Sequence, residues 1–203
     1  DVIDLNIDFL AGSGHKLCGP TGIGFLWSRK EILEKIPPLF GGGEMIQDVF
    51  EETSTWAELP HKFEAGTPAI AEAIGLAEAI NYINNIGLNE IHEYEKTITK
   101  YLFEKLNQIE NIEIIGPSPE IDPDRASLAT FYIKNIHSND IAEILDSKGI
   151  CIRSGHHCCQ PLHRYIGIKS TARISMNFTT NKEEIDMFIE KLKDTIDFLK
   201  INS

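Results

Sequence analysis

The sequence predicts an α/β protein, and three observations carry that reading. Short apolar runs bounded by glycine recur from Ile7 to Ser28 and again from Ile112 to Lys134. Between and after them lie long segments with apolar residues spaced three and four apart. The two kinds of segment alternate along the chain rather than separating into blocks.

In chain order, Ile7 to Ala11 reads as a buried strand, Gly12 to Gly22 as a loop and Ile23 to Ser28 as a second strand. A short helix follows at Lys30 to Lys35, stopped by Pro37-Pro38. An irregular glycine-led region then runs to Pro60, with a strand expected at Val49 to Glu52. Helices are expected from Ala69 to Asn85 and from Asn89 to Ile109, with Gly87 between them marking the passage from one domain to the next. Residues 1–86 and 87–203 are therefore read as separate domains. Strands at Ile112 to Ile115 and Leu128 to Lys134, a helix at Asn139 to Ser147 and a strand at Ile150 to Arg153 lead into a cysteine-rich loop. The last helix, Lys182 to Lys200, carries an Ile185, Phe188, Leu192, Ile196, Leu199 stripe and a Thr180/Glu183 capping-box pattern. The opening Asp1-Val2, so close to a strand, reads as a chain cut from a longer one.

Composition narrows the function. The 203 residues hold 19 Lys and Arg against 31 Asp and Glu, so the formal net charge is 19 − 31 = −12. Nucleic acid and anionic membrane both reward a clustered basic face, and neither is an expected partner. No apolar run approaches a membrane span, and no targeting pattern opens the chain. Of the four cysteines, Cys151, Cys158 and Cys159 fall within nine residues, and the last two are adjacent. Neighbouring cysteines make poor disulfide partners, so reduced thiols in cytoplasm or a plastid-type stroma fit better.

Two segments carry chemistry. In Ser13-Gly14-His15-Lys16 a lysine follows a strand directly among small residues. An amine so placed can lose its proton and condense with an aldehyde, the requirement for anchoring pyridoxal phosphate (PLP). Ser13 and His15 could bind a phosphate, and Gly12 and Gly14 would let the backbone pass a bulky ring. A surface lysine in a glycine turn reads equally well from these four residues alone. The second segment, Arg153-Ser154-Gly155-His156-His157-Cys158-Cys159, sets two thiols beside two imidazoles and a guanidinium. Positive neighbours favour a thiolate nucleophile. A zinc site using Cys151 and His163 is the competing reading, although the spacing matches no paired ligand set.

Taken together, Ser13 to Trp27 (SGHKLCGPTGIGFLW), Gly41 to Ile46 (GGGEMI), Phe63 to Pro68 (FEAGTP), Arg153 to Tyr165 (RSGHHCCQPLHRY) and Ala172 to Ser175 resemble the SufS-like (group II) cysteine desulfurases of the class V aminotransferase superfamily. The resemblance implies a fold-type I PLP enzyme and a homodimer. It also implies removal of sulfur from L-cysteine to leave alanine and a persulfide, which passes to a sulfur-acceptor protein for iron–sulfur cluster assembly. Residues 1–86 would be the C-terminal portion of the PLP-binding large domain, and 87–203 the small C-terminal domain. Lys16 would be the Schiff-base lysine, Ser13 and His15 phosphate ligands, and Gly66 and Thr67 phosphate ligands for the neighbouring subunit. Arg173 would clamp the substrate carboxylate, with Arg153 lining the same pocket, and Cys158 would be the nucleophile. Cys159 stands where the family usually has a small non-thiol residue, which opens which sulfur is loaded. Cys18 would be a packing residue. L-selenocysteine as substrate, a selenocysteine lyase or a class V aminotransferase are the alternatives. The family's acid for the pyridine nitrogen lies outside the resemblance, so the 203 residues alone are expected to be inactive.

Overall fold

The structure, a computed structural model, describes residues 1–201. It divides into two compact units, Asp1–Ile86 and Gly87–Ser203.

The first unit is built from two hairpins and a helix. β1 (Phe9–Ser13) pairs antiparallel with β2 (Gly24–Ser28), placing Gly12 opposite Phe25 and Ser13 opposite Gly24. A one-turn helix, α1 (Lys30–Leu33), follows, and Lys62 Nζ donates to its Leu33 and Glu34 carbonyls at 3.0 Å each. That buried ammonium satisfies carbonyls left open at the helix end. β3 (Ile46–Val49) pairs with β4 (Ser54–Trp56), and α2 (Ile70–Ile86) closes the unit.

Two expectations need correcting here. Of the strand placed at Val49 to Glu52 only Val49 lies in β3; Phe50 to Glu52 belong to the turn between β3 and β4, closed by Phe50 N–H on Thr53 O at 2.8 Å, because the Glu51-Glu52 pair favours solvent over a ladder. β1 was expected to be buried, yet Phe9 and Leu10 are exposed, as are Ile70, Ile74 and Ile80 of α2. β1 and β2 form a two-stranded sheet, so their apolar side chains find little to pack against within this unit.

The second unit has the conventional core. Helix α3 (Leu88–Leu106) leads to β5 (Ile112–Ile115) and β6 (Leu128–Ile133); then come α4 (Ser138–Ser147), β7 (Arg153–Gly155), α5 (Gln160–Ile166), β8 (Thr171–Ser175) and α6 (Lys182–Ile201). The four strands form an antiparallel sheet in the order β5-β6-β8-β7. Alternation along β6 buries Ala129, Phe131 and Ile133 on one face. They meet Ile98, Leu102 and Leu106 of α3, Ile141 and Leu145 of α4, and Ile185, Phe188, Leu192 and Ile196 of α6. Each such large side chain contributes about 1.5–3 kcal/mol by leaving water.

Three local readings shift. Ile150 was expected in a strand, but its N–H still bonds Leu145 O at 2.9 Å, so the chain is unwinding from α4 and β7 begins only at Arg153. The capping box of α6 lies one residue later than the Thr180/Glu183 pattern. Asn181 Oδ1 accepts from Glu184 N–H and Glu184 Oε2 accepts from Asn181 N–H, both at 2.9 Å. Thr180 is occupied by the preceding turn, where its N–H bonds Asn177 O. Finally, the cysteine-rich loop gives way to a short helix, α5, in whose first turn Pro161 lies. The proline's missing N–H costs nothing there.

Candidate active site

In the first unit, β1 ends at Ser13 and the chain makes one tight 3-10 turn over Gly14–Leu17. Gly14 N–H bonds Ile23 O at 2.9 Å, and Gly19 N–H bonds Gly14 O at 3.0 Å, so the turn is pinned from both ends. The glycines are required by close protein neighbours on this turn. A Cβ on Gly12 would lie 2.5 Å from the Phe25 ring, and one on Gly14 would lie 2.8 Å from Ile23 Cγ2. The turn thereby presents His15 and Lys16 outward. Among the described residues, nothing bonds the Lys16 ammonium or the Ser13 and His15 side chains. Cys18 follows in a left-handed conformation (φ 58°) and is exposed, so it is not the packing residue expected.

Gly66 and Thr67 lie in the irregular stretch before α2. Gly66 adopts φ 79°, and open space stands where its side chain would be. Its N–H is already donated to Gly43 O at 2.9 Å, which leaves Thr67 as the free donor of the pair.

The second unit gathers the other group of residues. β7 pairs antiparallel with β8 so that Arg153 lies opposite Arg173. Like charges facing each other across strands are destabilising, and a fold that keeps them there has assembled a seat for an anion. Arg173 Nε is buried without a hydrogen-bond partner, and Arg153 Nη2 donates to Cys158 Sγ at 3.2 Å. Between β7 and α5 the chain turns through two successive left-handed residues, His157 (φ 51°) and Cys158 (φ 63°). Neither is glycine, so the turn stores backbone strain of about 1–3 kcal/mol per residue, and it leaves the Cys158 thiol exposed. Both His157 ring nitrogens are buried without a partner. Burial first, then Arg173, Arg153 and His163, push the His157 pKa down, with the Thr171 backbone opposing weakly. The charged form of His157 is therefore disfavoured beside Arg173 and Arg153.

Sequence reasoning considered His163 only as a zinc ligand and passed over Thr171. His163 is 4% exposed, its Nε2 lies 3.0 Å from Thr171 Oγ1, and its ring packs edge-on to His156 with centroids 5.4 Å apart. The spacing from Cys159 to His163 is one helical turn, a signal visible once α5 is recognised. Among the described residues no group of three or more His, Cys, Asp or Glu is placed to hold a metal ion.

The profile of the family "Aminotransferase class-V" matches residues 1–188. The chain belongs to that family. It is 52% identical over 198 residues to a probable cysteine desulfurase of Synechocystis, a match covering 98% of this chain and 47% of that protein. The chain thus spans about half the length of the curated relatives it matches. Among solved structures, the cysteine desulfurase CsdA of Escherichia coli superposes with a TM-score of 0.90 at 32% identity, over 98% of this chain and 48% of that one. A lysine-to-alanine mutant of C-DES, with glycine covalently linked to its PLP cofactor, superposes with a TM-score of 0.78 at 25% identity, over 96% and 48%. The fold is that of the matching half of these fold-type I PLP enzymes. The residues of the first unit fit such a group: an unengaged amine at Lys16, unbonded polar side chains at Ser13 and His15, and unfilled space at Gly66.

Proposed function

We propose that the protein is a PLP-dependent cysteine desulfurase of the SufS-like (group II) kind. It takes sulfur from L-cysteine, releases L-alanine and leaves a persulfide on Cys158 that serves iron–sulfur cluster assembly. The observation that carries this reading is the facing Arg153–Arg173 pair with Arg153 bonded to the Cys158 thiol. An aminotransferase has no use for a thiol placed there. The family membership and the 52% identity to a probable cysteine desulfurase support the same reading.

When bound, PLP supplies an electron sink for bonds at the substrate's α-carbon. Lys16 would hold the cofactor through its amine and would carry a proton at Nζ when that amine is free. Ser13 and His15 would bind the phosphate, and Thr67 would give a further contact to the phosphate of the neighbouring subunit in a homodimer, with Gly66 leaving the space for it. We read residues 1–86 as the C-terminal part of the PLP-binding large domain and 87–203 as the small domain.

Arg173 grips the substrate carboxylate with its planar fork, which fixes the amino acid's angle as well as its charge. Arg153 holds the Cys158 sulfur as thiolate. That thiolate attacks the substrate's sulfur: the new S–S bond forms as the C–S bond breaks, and the carbon left behind is protonated to alanine. A sulfur-acceptor protein then collects the persulfide. Four free thiols suit cytoplasm or a plastid-type stroma, and no described helix is long and apolar enough to cross a membrane. L-selenocysteine fits the same residues.

Borohydride trapping tests the first half of this account. Full-length protein incubated with PLP, reduced and digested is expected to carry the cofactor's mass on the peptide containing Lys16. Trapping on another lysine would overturn the assignment.

A further inference from the structure

Cys159 is not spare. We propose that it is a second sulfur-carrying thiol, which takes the outer sulfur from a Cys158 persulfide; the inference rests on the desulfurase reading above and deepens it.

The two adjacent cysteines occupy different chemical settings. Cys158 Sγ is exposed and held by Arg153. Cys159 is half-buried at the start of α5, where its S–H donates to His156 O at 2.9 Å and its Sγ lies 3.8 Å from His163 Nδ1. His163 cannot wander, because its Nε2 is 3.0 Å from the fully buried Thr171 Oγ1 and its Nδ1 is 3.2 Å from Cys159 O. An imidazolium at His163 would be satisfied at both ends, with Nε2–H on Thr171 and Nδ1–H shared by the Cys159 carbonyl and thiolate. Thiol, oriented imidazole and hydroxyl in sequence are the arrangement that activates a sulfur nucleophile. A cysteine that merely packed would sit among apolar side chains instead.

The step balances without an added oxidant. Cys159 loses its proton to solvent, its charge is held by the His163 Nδ1–H that also faces the Cys159 carbonyl, and its thiolate attacks the outer sulfur of the Cys158 persulfide. One S–S bond forms, one breaks, and Cys158 leaves as a thiolate beside the Arg153 guanidinium. The alternative, attack on the inner sulfur, would expel hydrosulfide and join the two residues as a disulfide. Adjacent Cα atoms are about 3.8 Å apart, below the roughly 4.4–6.8 Å that disulfides span, so exchange at the outer sulfur is the easier route. Beyond His163 lies a recess of about 390 Å³ lined by His156, Gln160, Arg164 and Lys169, whose cations suit an incoming acceptor thiolate.

Two sulfur donors separate this inference from the reading it rests on. L-Cysteine loads the full-length protein only if it is a desulfurase. Inorganic polysulfide loads exposed thiols without PLP. After either donor is removed by desalting, thiols are alkylated at intervals and persulfides assigned by peptide mass spectrometry. The expected result with polysulfide is early label on Cys158 that declines as label on Cys159 rises, at a rate independent of protein concentration. Thr171→Val should slow the transfer severalfold and Thr171→Ser restore it, with circular dichroism confirming that each variant is folded. Label that stays on Cys158, or a Cys159 that loads equally in Cys158→Ser, would overturn the relay. Failure of L-cysteine to load any thiol would instead remove the desulfurase reading, with the polysulfide chase still deciding the exchange.

Discussion

The two units of this chain hold their functional residues in opposite ways. The second has a continuous apolar core of three helices against a four-stranded sheet; Arg153 and Arg173 stand on paired strands of that sheet, and Cys158 and Cys159 lie in the turn that follows β7. The first buries few side chains among the described residues, chiefly Met45, Leu76 and Lys62, while Leu39 and Phe40 are 88% and 74% exposed. Its lysine is positioned by backbone alone, through a glycine-rich turn between two short strands. The thiol is thus set by side-chain partners and strained backbone, the amine by a turn that leaves it unengaged. One site is prepared by charge and the other by shape.

The contrast can be broken most sharply in the cores. Phe131→Ala should cost about 3–5 kcal/mol of stability in the second unit, whereas Leu39→Ala in the first should fall within about 0.5 kcal/mol. Thermal unfolding followed by circular dichroism measures both, and equal losses would erase the distinction. Next in size is Arg173→Gln, which removes one half of the facing pair. Losing a charge-assisted bond to the carboxylate should raise the KM for L-cysteine about 10- to 100-fold, whereas the same substitution at the exposed Arg164 should leave KM alone.

A smaller effect sharpens the register of α6. Asn181→Ala should destabilise by about 1 kcal/mol through its lost cap, and Thr180→Ala by less; the reverse order would restore the capping pattern read from sequence. The smallest concerns His157. Its pKa is lowered in the folded chain from the ordinary 6.5, so the folded state binds fewer protons than the unfolded one below that pH. Its contribution is intact above pH 6.5 and is lost as the pH falls toward the lowered value. His157→Asn should therefore flatten the loss of melting temperature between pH 7.5 and pH 5, and an unchanged slope would contradict the burial argument.

Much of this was legible in the residues. The strands Ile112–Ile115 and Leu128–Ile133 and the helices α3, α4 and α6 follow apolar periodicity, which works because the second unit's packing enforces it, and α2 follows it too although Ile70, Ile74 and Ile80 stay exposed. Lys16, Arg153, Arg173 and Cys158 were recognisable from their motifs. What sequence could not supply was register: that Arg153 faces Arg173 depends on strand pairing between residues twenty apart. The role of His163 was hidden in the same way, since it emerges only when α5 and β8 bring it to Thr171. The capping box slipped by one residue because Thr180 and Asn181 are both good caps, and only the turn at Asn177 decides between them. The protein neighbours of the first turn's glycines, Phe25 and Ile23, became visible only through the β1–β2 pairing.

The central claim is that the Cys158 thiol takes the sulfur, and single-turnover alanine release tests it most directly. Full-length protein loaded with PLP and mixed with excess L-cysteine, without reductant, should release about two alanines per subunit in the wild type, whose Cys159 takes the first sulfur and frees Cys158, about one in Cys159→Ser, and none in Cys158→Ser. A full equivalent of alanine from Cys158→Ser would contradict the account and move the chemistry to another member of the class V scaffold.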